Sequence, residues 1–500
     1  MSRIRSLYKG TVIIAGFIFL SGIVNSWAGT PERMTLDDAV AVARMQSVEA
    51  LQARHSFISS YWAWRSYKAS LLPSVSVYGT LMNFNRSMAL LQNYEDGTLK
   101  YTSVSNLQNS LGLRLSQNIP FTGGTLSLYS DLSRIDQFGS SVARTWYAQP
   151  ITLSYSQPLF AYNRFKWDKL MEPKAYESGR RKYLESMEGL TIKVVAAYFN
   201  LIIANEEKSI ASQNCSNTAK MKSVAAERLK LGTVTRDEYL QLELRMLSDS
   251  ISVNESAISV RKAQMELNSL LGFDESFEIT PVLDGDLPAI MVDYELVLRK
   301  AMENSSFMLE NELALLGAES SVAKAKADRG ITMSLNARFG MSQNAPEFAG
   351  AYRNPIDQEV AGLSFSVPVF DWGLGKGKVQ KARAAEEVVR ASNLQKENDF
   401  RRTLFTSVGQ FNTQGRQCEV SRLAMEIASE RYSLMMEKFR SGGATVTDLT
   451  NAQKDNDAAV RKYVTDVRDY WNCYYTLRKY ALYDFMTGKD LDVKAEEMVE

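Results

Sequence analysis

The chain has 500 residues, of which 45% are hydrophobic and 23% charged, a composition typical of a folded protein and not of a disordered one. Lysine and arginine together number 58 against 57 acidic residues, so a net charge of +1 gives no bulk attraction for nucleic acid. His55 is the only histidine, and no glycine-rich phosphate loop, Gly-x-Ser-x-Gly motif or Cys/His cluster occurs, so we predict no enzyme, no cofactor and no metal site.

The N-terminus predicts a secretory signal. Three basic residues precede an apolar run from Thr11 to Val24, and Ser26 and Ala28 provide the small side chains of a cleavage site. We therefore predict a signal peptide over 1–28, and export of the mature chain. The run is short of the ~20 residues that a membrane-spanning helix needs, and after residue 30 no stretch approaches such a helix. A mature chain that enters a membrane must then do so as strands of a closed barrel.

Helices and strands alternate along the first half of the mature chain. A helix is predicted over 35–71, strands at about 73–160, a long helix over 165–231 and another helix over 236–271. Pro173 is the one strong breaker in the long helix. Some 65 helical residues span about 100 Å, which no globular core needs, so the long helix indicates a coiled coil or a tunnel wall.

The sequence contains an internal duplication. Leu153–Phe160, LSYSQPLF, recurs as Leu363–Phe370, LSFSVPVF, at an offset of 210, and an offset of 258 carries Ser76 onto Ser334. The offsets differ by 48 residues, so the first copy holds an insertion between its strands. We predict an extra hairpin there, at about 109–132. The sequence leaves open whether this hairpin joins the sheet or folds over its outer mouth.

The second copy repeats the order of the first. We predict a helix over 294–327, strands at about 331–370, a long helix over 376–441 and a helix over 447–484. The predicted domain limits are a signal peptide 1–28, a first repeat 29–280, an inter-repeat segment 281–293, a second repeat 294–485 and a solvated acidic tail 486–500. Cys215, Cys418 and Cys473 are interpreted as incidental helix residues, because three widely spaced thiols form no metal or redox motif.

The predicted strands have one apolar and one polar face. Val75 and Val77 alternate with Ser74, Ser76 and Tyr78, and the later strands follow the same rule. A barrel with lipid outside and water inside requires this pattern. A soluble antiparallel sheet with one wet face would show the same alternation, so it is the signal peptide that favours the membrane.

The two long helices are predicted to end in similar turns, 231–238 and 441–448. Glycine just past each helix suits a left-handed cap, and Thr235 with Glu238, like Thr445 with Asp448, has the spacing of a capping box. These acids either only cap helices or also line a pore as a ring of charge. The turns themselves would form docking tips, assigned to Gly232, Thr233, Val234, Thr235, Gly442, Gly443, Ala444 and Thr445.

These features together resemble the TolC-like outer membrane efflux proteins, over about 34–485. The duplication, the Gly-x-x-Thr turns and two Ser-x-Pro-x-Phe strand-to-helix corners carry the resemblance; the corner residues are Pro158, Phe160, Pro368 and Phe370. The resemblance implies a mostly α fold with β. Antiparallel strands would form a β-barrel that closes only in a homotrimer, and the long helices would continue from it as a tunnel. Each chain of this family gives four strands to the barrel.

The resemblance also implies a function and its partners. The chain would be a passive exit duct in the outer membrane of a Gram-negative bacterium, in contact with lipid. A periplasmic adaptor and an inner-membrane pump would deliver compounds or proteins to it. The alternative is a periplasmic coiled-coil adaptor or structural protein without a pore, which would need neither the alternating strands nor the duplication.

The family further implies a gate at the tips. Acids six and nine residues after the second glycine line its closed constriction; here those positions hold Asp448, which matches, and Asn451, which does not. A tyrosine three residues before that glycine bonds an acid of the first turn, but here the pair is Phe439 and Glu238. Phenylalanine has no hydroxyl, so we expect no such bond, one acidic ring and weaker cation retention.

Overall fold

The computed structural model of the chain describes residues 32–92, 97–139, 142–283, 287–441 and 443–493. The predicted signal peptide over 1–28, the tip residue Gly442 and the last part of the tail lie outside the described residues. The helices and strands follow in chain order as β1 Glu32–Met34, α1 Leu36–Gln46, α2 Val48–Ser70, β2 Ser74–Gln92, β3 Leu99–Ile119, β4 Gly124–Phe138, β5 Ala143–Leu159, α3 Arg164–Lys230, α4 Arg236–Leu271, β6 Ile279–Pro281, α5 Tyr294–Asn304, α6 Ser306–Arg329, β7 Thr332–Ala345, β8 Ile356–Ser366, α7 Leu374–Ser441, α8 Val446–Ala481, β9 Tyr483–Asp484 and β10 Lys489–Asp490.

The two long helices are confirmed. The structure has α3 and α7 with 67 and 68 residues, each followed by a turn and a helix of 36 residues. Pro173 lies inside α3 and does not end it. One 18-residue stretch of α3 is apolar enough to cross a membrane, contrary to the expectation from the sequence, but 67% of that stretch is buried inside the protein, as in a core helix.

The predicted helices 35–71 and 294–327 are each broken once, which the sequence analysis did not foresee. Ser47 separates α1 from α2, and Ser305 separates α5 from α6. Both serines have extended backbone, with ψ of 150° and 158°, and both are buried. They are equivalent under the offset of 258, so the break belongs to the repeated unit.

The chain divides into two compact units that do not follow the two repeats. The first unit comprises, of the described residues, 32–56, 181–305 and 400–493, and the second 57–180 and 306–399. In the first unit the core holds packed aromatic rings, and Phe411 lies 5.2 Å from Tyr470 between ring centroids.

The beginning of the tail is exposed at residues 486–490 and is attached to this first unit. β10 pairs antiparallel with β9, and Lys300 Nζ donates a 2.9 Å hydrogen bond to Asp490 Oδ1. The short β1 pairs in parallel with β6 of the inter-repeat region.

The second unit holds one antiparallel sheet of six strands, in the order β2-β3-β4-β5-β7-β8. The inserted hairpin is β3 and β4, which pair over 15 positions from Ser105 with Phe138 to Ile119 with Gly124. It therefore joins the sheet, between β2 and β5. The sheet has six strands, two more than the four per chain that the resemblance implies for the barrel, and the insertion supplies the extra two.

The sheet has one polar and one apolar face. On the polar face hydrogen bonds cross between strands, such as Ser156 Oγ to Asn336 Oδ1 at 2.9 Å and Ser334 Oγ with Ser364 Oγ at 2.6 Å. On the other face Val77 is 70% and Leu113 51% exposed, so no element of the described chain covers this surface. A large apolar face left open marks a contact with lipid or protein.

Candidate functional site at the helix tips

The first tip turn is closed by backbone hydrogen bonds at the end of α3. Gly232 has φ of 70°, the left-handed conformation that lacks a steric penalty only for glycine. The amide of Thr233 donates to the carbonyl of Arg228 at 3.0 Å. At the end of α7 the amide of Gly443 donates to the carbonyl of Lys438 at 2.8 Å. Both long helices thus end in turns that satisfy their last carbonyl groups.

Both predicted capping boxes are present. The Thr235 amide donates to Glu238 Oε2 at 2.8 Å, and the Glu238 amide donates to Thr235 Oγ1 at 3.3 Å. In the second turn the Thr445 amide donates to Asp448 Oδ2 at 3.2 Å, and the Asp448 amide donates to Thr445 Oγ1 at 3.1 Å. Each acid therefore satisfies free amides at the start of the helix that follows.

These hydrogen bonds keep both acids charged. The bond from the Thr235 amide lowers the pKa of Glu238, and that from the Thr445 hydroxyl lowers the pKa of Asp448. The carboxylate of Asp448 is exposed. Both carboxyl groups are thus ionised at neutral pH.

A cleft of about 370 Å³ lies between the two turns. It brings together the predicted tip and gate residues of both repeats, and its lining is Ala225, Arg228, Thr233, Val234, Glu238, Phe439, Gly443, Ala444, Thr445, Val446 and Asp448. Arg228 Nη2 also donates to the carbonyl of Arg440 at 3.2 Å, which joins the ends of α3 and α7. Asn451, by contrast, lies exposed on α8 and does not line the cleft.

An apolar cluster below the cleft holds Phe439 in place. Phe439 is 7% exposed, and the buried members packed with it are Met221, Ala225, Leu242 and Leu449. From the sequence, Phe439 was notable only for its missing hydroxyl, and this cluster was not predicted. Its signal is the helical spacing of apolar residues in the last turns of the long helices, which is shared by every packed helix and so is not specific.

Polar contacts farther from the tips connect the helices of the two repeats. Arg245 of α4 donates to Gln453 Oε1 of α8 at 2.9 Å, and Asn214 of α3 donates to Asp457 Oδ2 of α8 at 2.9 Å. Burial raises the pKa of Asp457. These pairs were also missed, because nothing in a single sequence shows which polar residues of different helices meet.

The strand-to-helix corners differ between the repeats. Pro158 lies inside β5 opposite Ser334, whereas Pro368 follows the end of β8. Phe160 has a positive φ of 60°. Phe370 is exposed and packs edge to face on Trp372, with ring centroids 4.4 Å apart. The corners are thus turns, and in the second the carboxylate of Asp371 accepts hydrogen bonds from the amides of Gly373 at 2.9 Å and Gly375 at 2.6 Å.

Within the ranges that the structure covers, no group of three or more His, Cys, Asp or Glu side chains could hold a metal ion. His55 lies exposed on α2. The cysteines are unpaired residues of α3, α7 and α8, and burial raises the pKa of Cys418 to about 12. Such a thiol is unreactive at neutral pH.

Comparison with known families finds a match to part of the chain. The outer membrane efflux protein family matches residues 297–481, which run from α5 to the end of α8. A search of curated protein sequences finds no match.

Several solved structures share the fold. A membrane protein from Pseudomonas aeruginosa has a TM-score of 0.65 and 15% identity, with 92% of each chain covered. The outer membrane protein VceC from Vibrio cholerae has a TM-score of 0.63 and 12% identity, covering 91% of this chain and 97% of its own. The CmeC outer membrane channel of Campylobacter jejuni has a TM-score of 0.61 and 14% identity, covering 92% of this chain and 88% of its own. The likeness therefore extends over both repeats.

Proposed function

We propose that this chain is a TolC-like outer membrane efflux protein that works as a homotrimer, the exit duct of a tripartite export system. An inner-membrane pump and a periplasmic adaptor would deliver cargo to the tips. The duct itself performs no chemistry and needs no cofactor, since the pump supplies the energy.

The six-stranded sheet is the observation that carries this proposal. Its strands have 11 to 21 residues, and a membrane-spanning strand needs about 9–11. Its outer edges, β2 and β8, have a free row of backbone groups. Free edges are not tolerated in lipid, where no water can satisfy them. Several copies must therefore close the sheet, which supports a homotrimer.

The paired tip turns support a docking role. They present Thr233, Val234 and Ala444 beside a cleft, on rigid helices whose ends are capped. We infer that the adaptor binds this surface, with Gly232, Thr235, Gly443 and Thr445 shaping its backbone. Gly442, assigned to the same surface from the sequence, lies outside the described residues.

The gate would consist of Asp448 and Phe439. Three copies of Asp448 about a threefold axis would form one ring of negative charge, which attracts cations. Asn451 would add no charge to it. Phe439 contacts the apolar cluster, so the closed tip would be held there by packing in place of a hydrogen bond to Glu238.

Cross-linking in detergent tests the trimer. The chain, extracted from the membrane fraction, should be trapped as a trimer by an amine-reactive cross-linker, because lysines such as Lys68, Lys169, Lys376 and Lys381 are exposed on its helices. The same preparation in denaturing detergent is the control and should give monomer. A stable monomer recovered from the soluble periplasmic fraction would contradict both the barrel and the duct.

A further inference from the structure

In the part of the chain that the structure describes, the edge strands β2 and β8 each lack a neighbour on one side. We propose that β8 of one copy pairs with β2 of the next in a single register that the sequence duplication fixes, so that Arg86 faces Glu359 across the seam. This rests on the proposed homotrimer and adds to it which strands meet and how.

The duplication supplies the register. β5 and β7 meet inside the chain, with Ser156 opposite Asn336. The offset of 210 moves Ser156 on to Ser366 in β8, and the offset of 258 moves Asn336 back to Tyr78 in β2. The contact between β5 and β7 is therefore the internal equivalent of a contact between β8 and β2 of two copies. It predicts Ser366 opposite Tyr78.

In the half of this seam nearer the helices, the side chains that face each other have the same polarity. Counting from Ser366 and Tyr78 toward the helices, the apolar face pairs Val367 with Val77 and Val369 with Val75. Val369 is 91% and Val75 68% exposed, so each lacks the cover that the other would give. A slip of one residue would place these valines opposite polar side chains, which makes the register specific.

The pairing also explains why β8 is short. β5 continues to Leu159 because Gln157, Pro158 and Leu159 pair with β7. The equivalent residues of β8, 367–369, have no partner strand, and β8 ends at Ser366. The next copy's β2 would provide that partner.

In the half of the seam farther from the helices, oppositely charged side chains face each other. β2 has a bulge where Met82 adopts φ of 57° and the partner shifts between Thr80 and Asn83. β8 pairs with β7 without a shift, unlike β5, whose register against β7 shifts between Ala148 and Thr152. Counting through the bulge of β2 alone therefore places Glu359 opposite Arg86, with the acid Asp357 diagonal to Arg86.

These charged side chains have no partner among the described residues. Over the residues that the structure describes, Arg86, Asp357 and Glu359 form no ion pair and no side-chain hydrogen bond, and all are exposed. They stand on the apolar face of edge strands, where an unpaired charge is costly next to lipid. Opposite charges directly across a strand pair attract, so the seam satisfies them.

The seam also sets the size of the pore. In a sheet of six antiparallel strands, the first and the last strand run in opposite directions. Every strand contact around the closed barrel is then antiparallel, including those between copies. Three copies then give 18 strands, a number that in known barrels leaves an aqueous channel. The twelve strands of a four-stranded family member would enclose a narrower one.

Cysteine cross-linking tests the register. In a background with Cys215, Cys418 and Cys473 replaced, Arg86→Cys with Glu359→Cys should form cross-linked dimers and trimers with a short thiol-reactive linker. The matched control is Asn85→Cys with Glu359→Cys, because Asn85 lies on the opposite face of the same strand, and it should lose the cross-linked bands. Native mass spectrometry of each variant first establishes that the trimer is present.

The outcomes separate the seam from the duct. A trimer with cross-links only in the 86/359 variant supports the seam. A trimer without them, or with equal yield in the control, overturns the seam and leaves the proposed duct intact. A monomer in the cysteine-free background, with otherwise native sequence, overturns both.

Charge reversal gives a second, independent readout. Arg86→Glu and Glu359→Arg should each lower the fraction of trimer that survives heating in mild detergent, and the double exchange should recover it. Recovery supports the pair; single and double variants that are equally unstable would overturn it.

A count of 18 strands in a cryo-EM section of the trimer would support the closure of the barrel by six strands from each copy, and a count of 12 would overturn it.

Discussion

Asp448 has two roles that substitution separates. It accepts hydrogen bonds from Thr445 at the start of α8, and it carries a charge at the tip. Asparagine at 448 keeps an oxygen acceptor and loses the charge, whereas alanine loses both. The helix cap is observed in the structure, whereas the ring of Asp448 side chains around a pore is proposed.

We therefore predict that Asp448→Asn and Asp448→Ala reduce cation selectivity equally, because both remove the charge. Only Asp448→Ala should also speed hydrogen exchange at the 445–448 amides, because it alone breaks the cap. Reversal potentials in a salt gradient measure the selectivity. Asp38→Asn, in a matching capping box with Thr35 on α1, is the control and should leave the potential unchanged. An unchanged potential in both Asp448 variants would show that the residue is only a cap.

The cation selectivity should not change with pH until the solution is acidic enough to protonate Asp448. The hydrogen bonds from Thr445 lower the pKa of Asp448, so its charge persists as pH falls through the ordinary aspartate value of about 3.9. For a lowered pKa, the stabilisation by the cap is likewise present above the unfolded value and lost as pH falls through the folded one. Reversal potentials recorded from neutral pH down to about pH 4 should stay constant; a decline near pH 6 would indicate another group.

A buried charge in the first unit gives a stability prediction. The side chain of Glu188 is 3% exposed and lies 2.6 Å from Arg44 and 3.3 Å from Arg478. Glu188→Gln should lower the free energy of unfolding by about 1–3 kcal/mol, because Arg44 loses its charged partner and Arg478 loses one of two, keeping Asp484 at 3.4 Å. Glu227→Gln, in an exposed pair with Lys230, should cost less than about 0.5 kcal/mol. Denaturation of the two variants in parallel measures the difference; equal midpoints would contradict it.

At the scale of elements, two glycines end helices with similar conformations and different surroundings. Gly232 has φ of 70° and open space where a side chain would stand, while Gly272 has φ of 75° and its Cβ would lie 3.1 Å from the carbonyl oxygen of Gln46. Gly232→Ala should cost about 1 kcal/mol from the backbone alone. Gly272→Ala should cost more, because α4 must also move from α1. Thermal unfolding ranks the two; the reverse order would show that the tip turn is tighter than described.

Much of the fold is readable from the pattern of side chains. The strands and long helices followed from alternation and from the lack of breakers, and the tip turns from glycine and capping spacing. The breaks at Ser47 and Ser305 were missed because serine breaks a helix only in context, when its side chain or amide finds a cap. Their equivalence under the offset of 258 was in the sequence and would have drawn attention to both.

The inserted hairpin shows a different limit. Its strands were predictable, but their place between β2 and β5 depends on backbone pairing over many residues, which a single sequence does not encode locally. The same holds for the tip. Glu238 and Asp448 were found from their caps, whereas the cleft that joins them depends on how two hairpins of helices pack.

At the scale of the whole molecule, the apolar cluster at the tip predicts how the duct closes. Phe439 is buried against Leu242 and Leu449, which come from the helices that follow each turn. A closed state that is held by apolar packing is weakened when the packing is removed and is little affected by salt.

We predict that Phe439→Ala raises single-channel conductance in planar bilayers, because the lost ring loosens the closed tip. Leu434→Ala, at an exposed position on the same helix, is the matched control and should leave conductance low. Phe439→Tyr should not raise it, since the ring is kept and its hydroxyl would point toward the cleft that Glu238 lines. If instead high salt alone opened the wild-type channel and Phe439→Ala had no effect, ionic contacts and not this cluster would hold the tip closed.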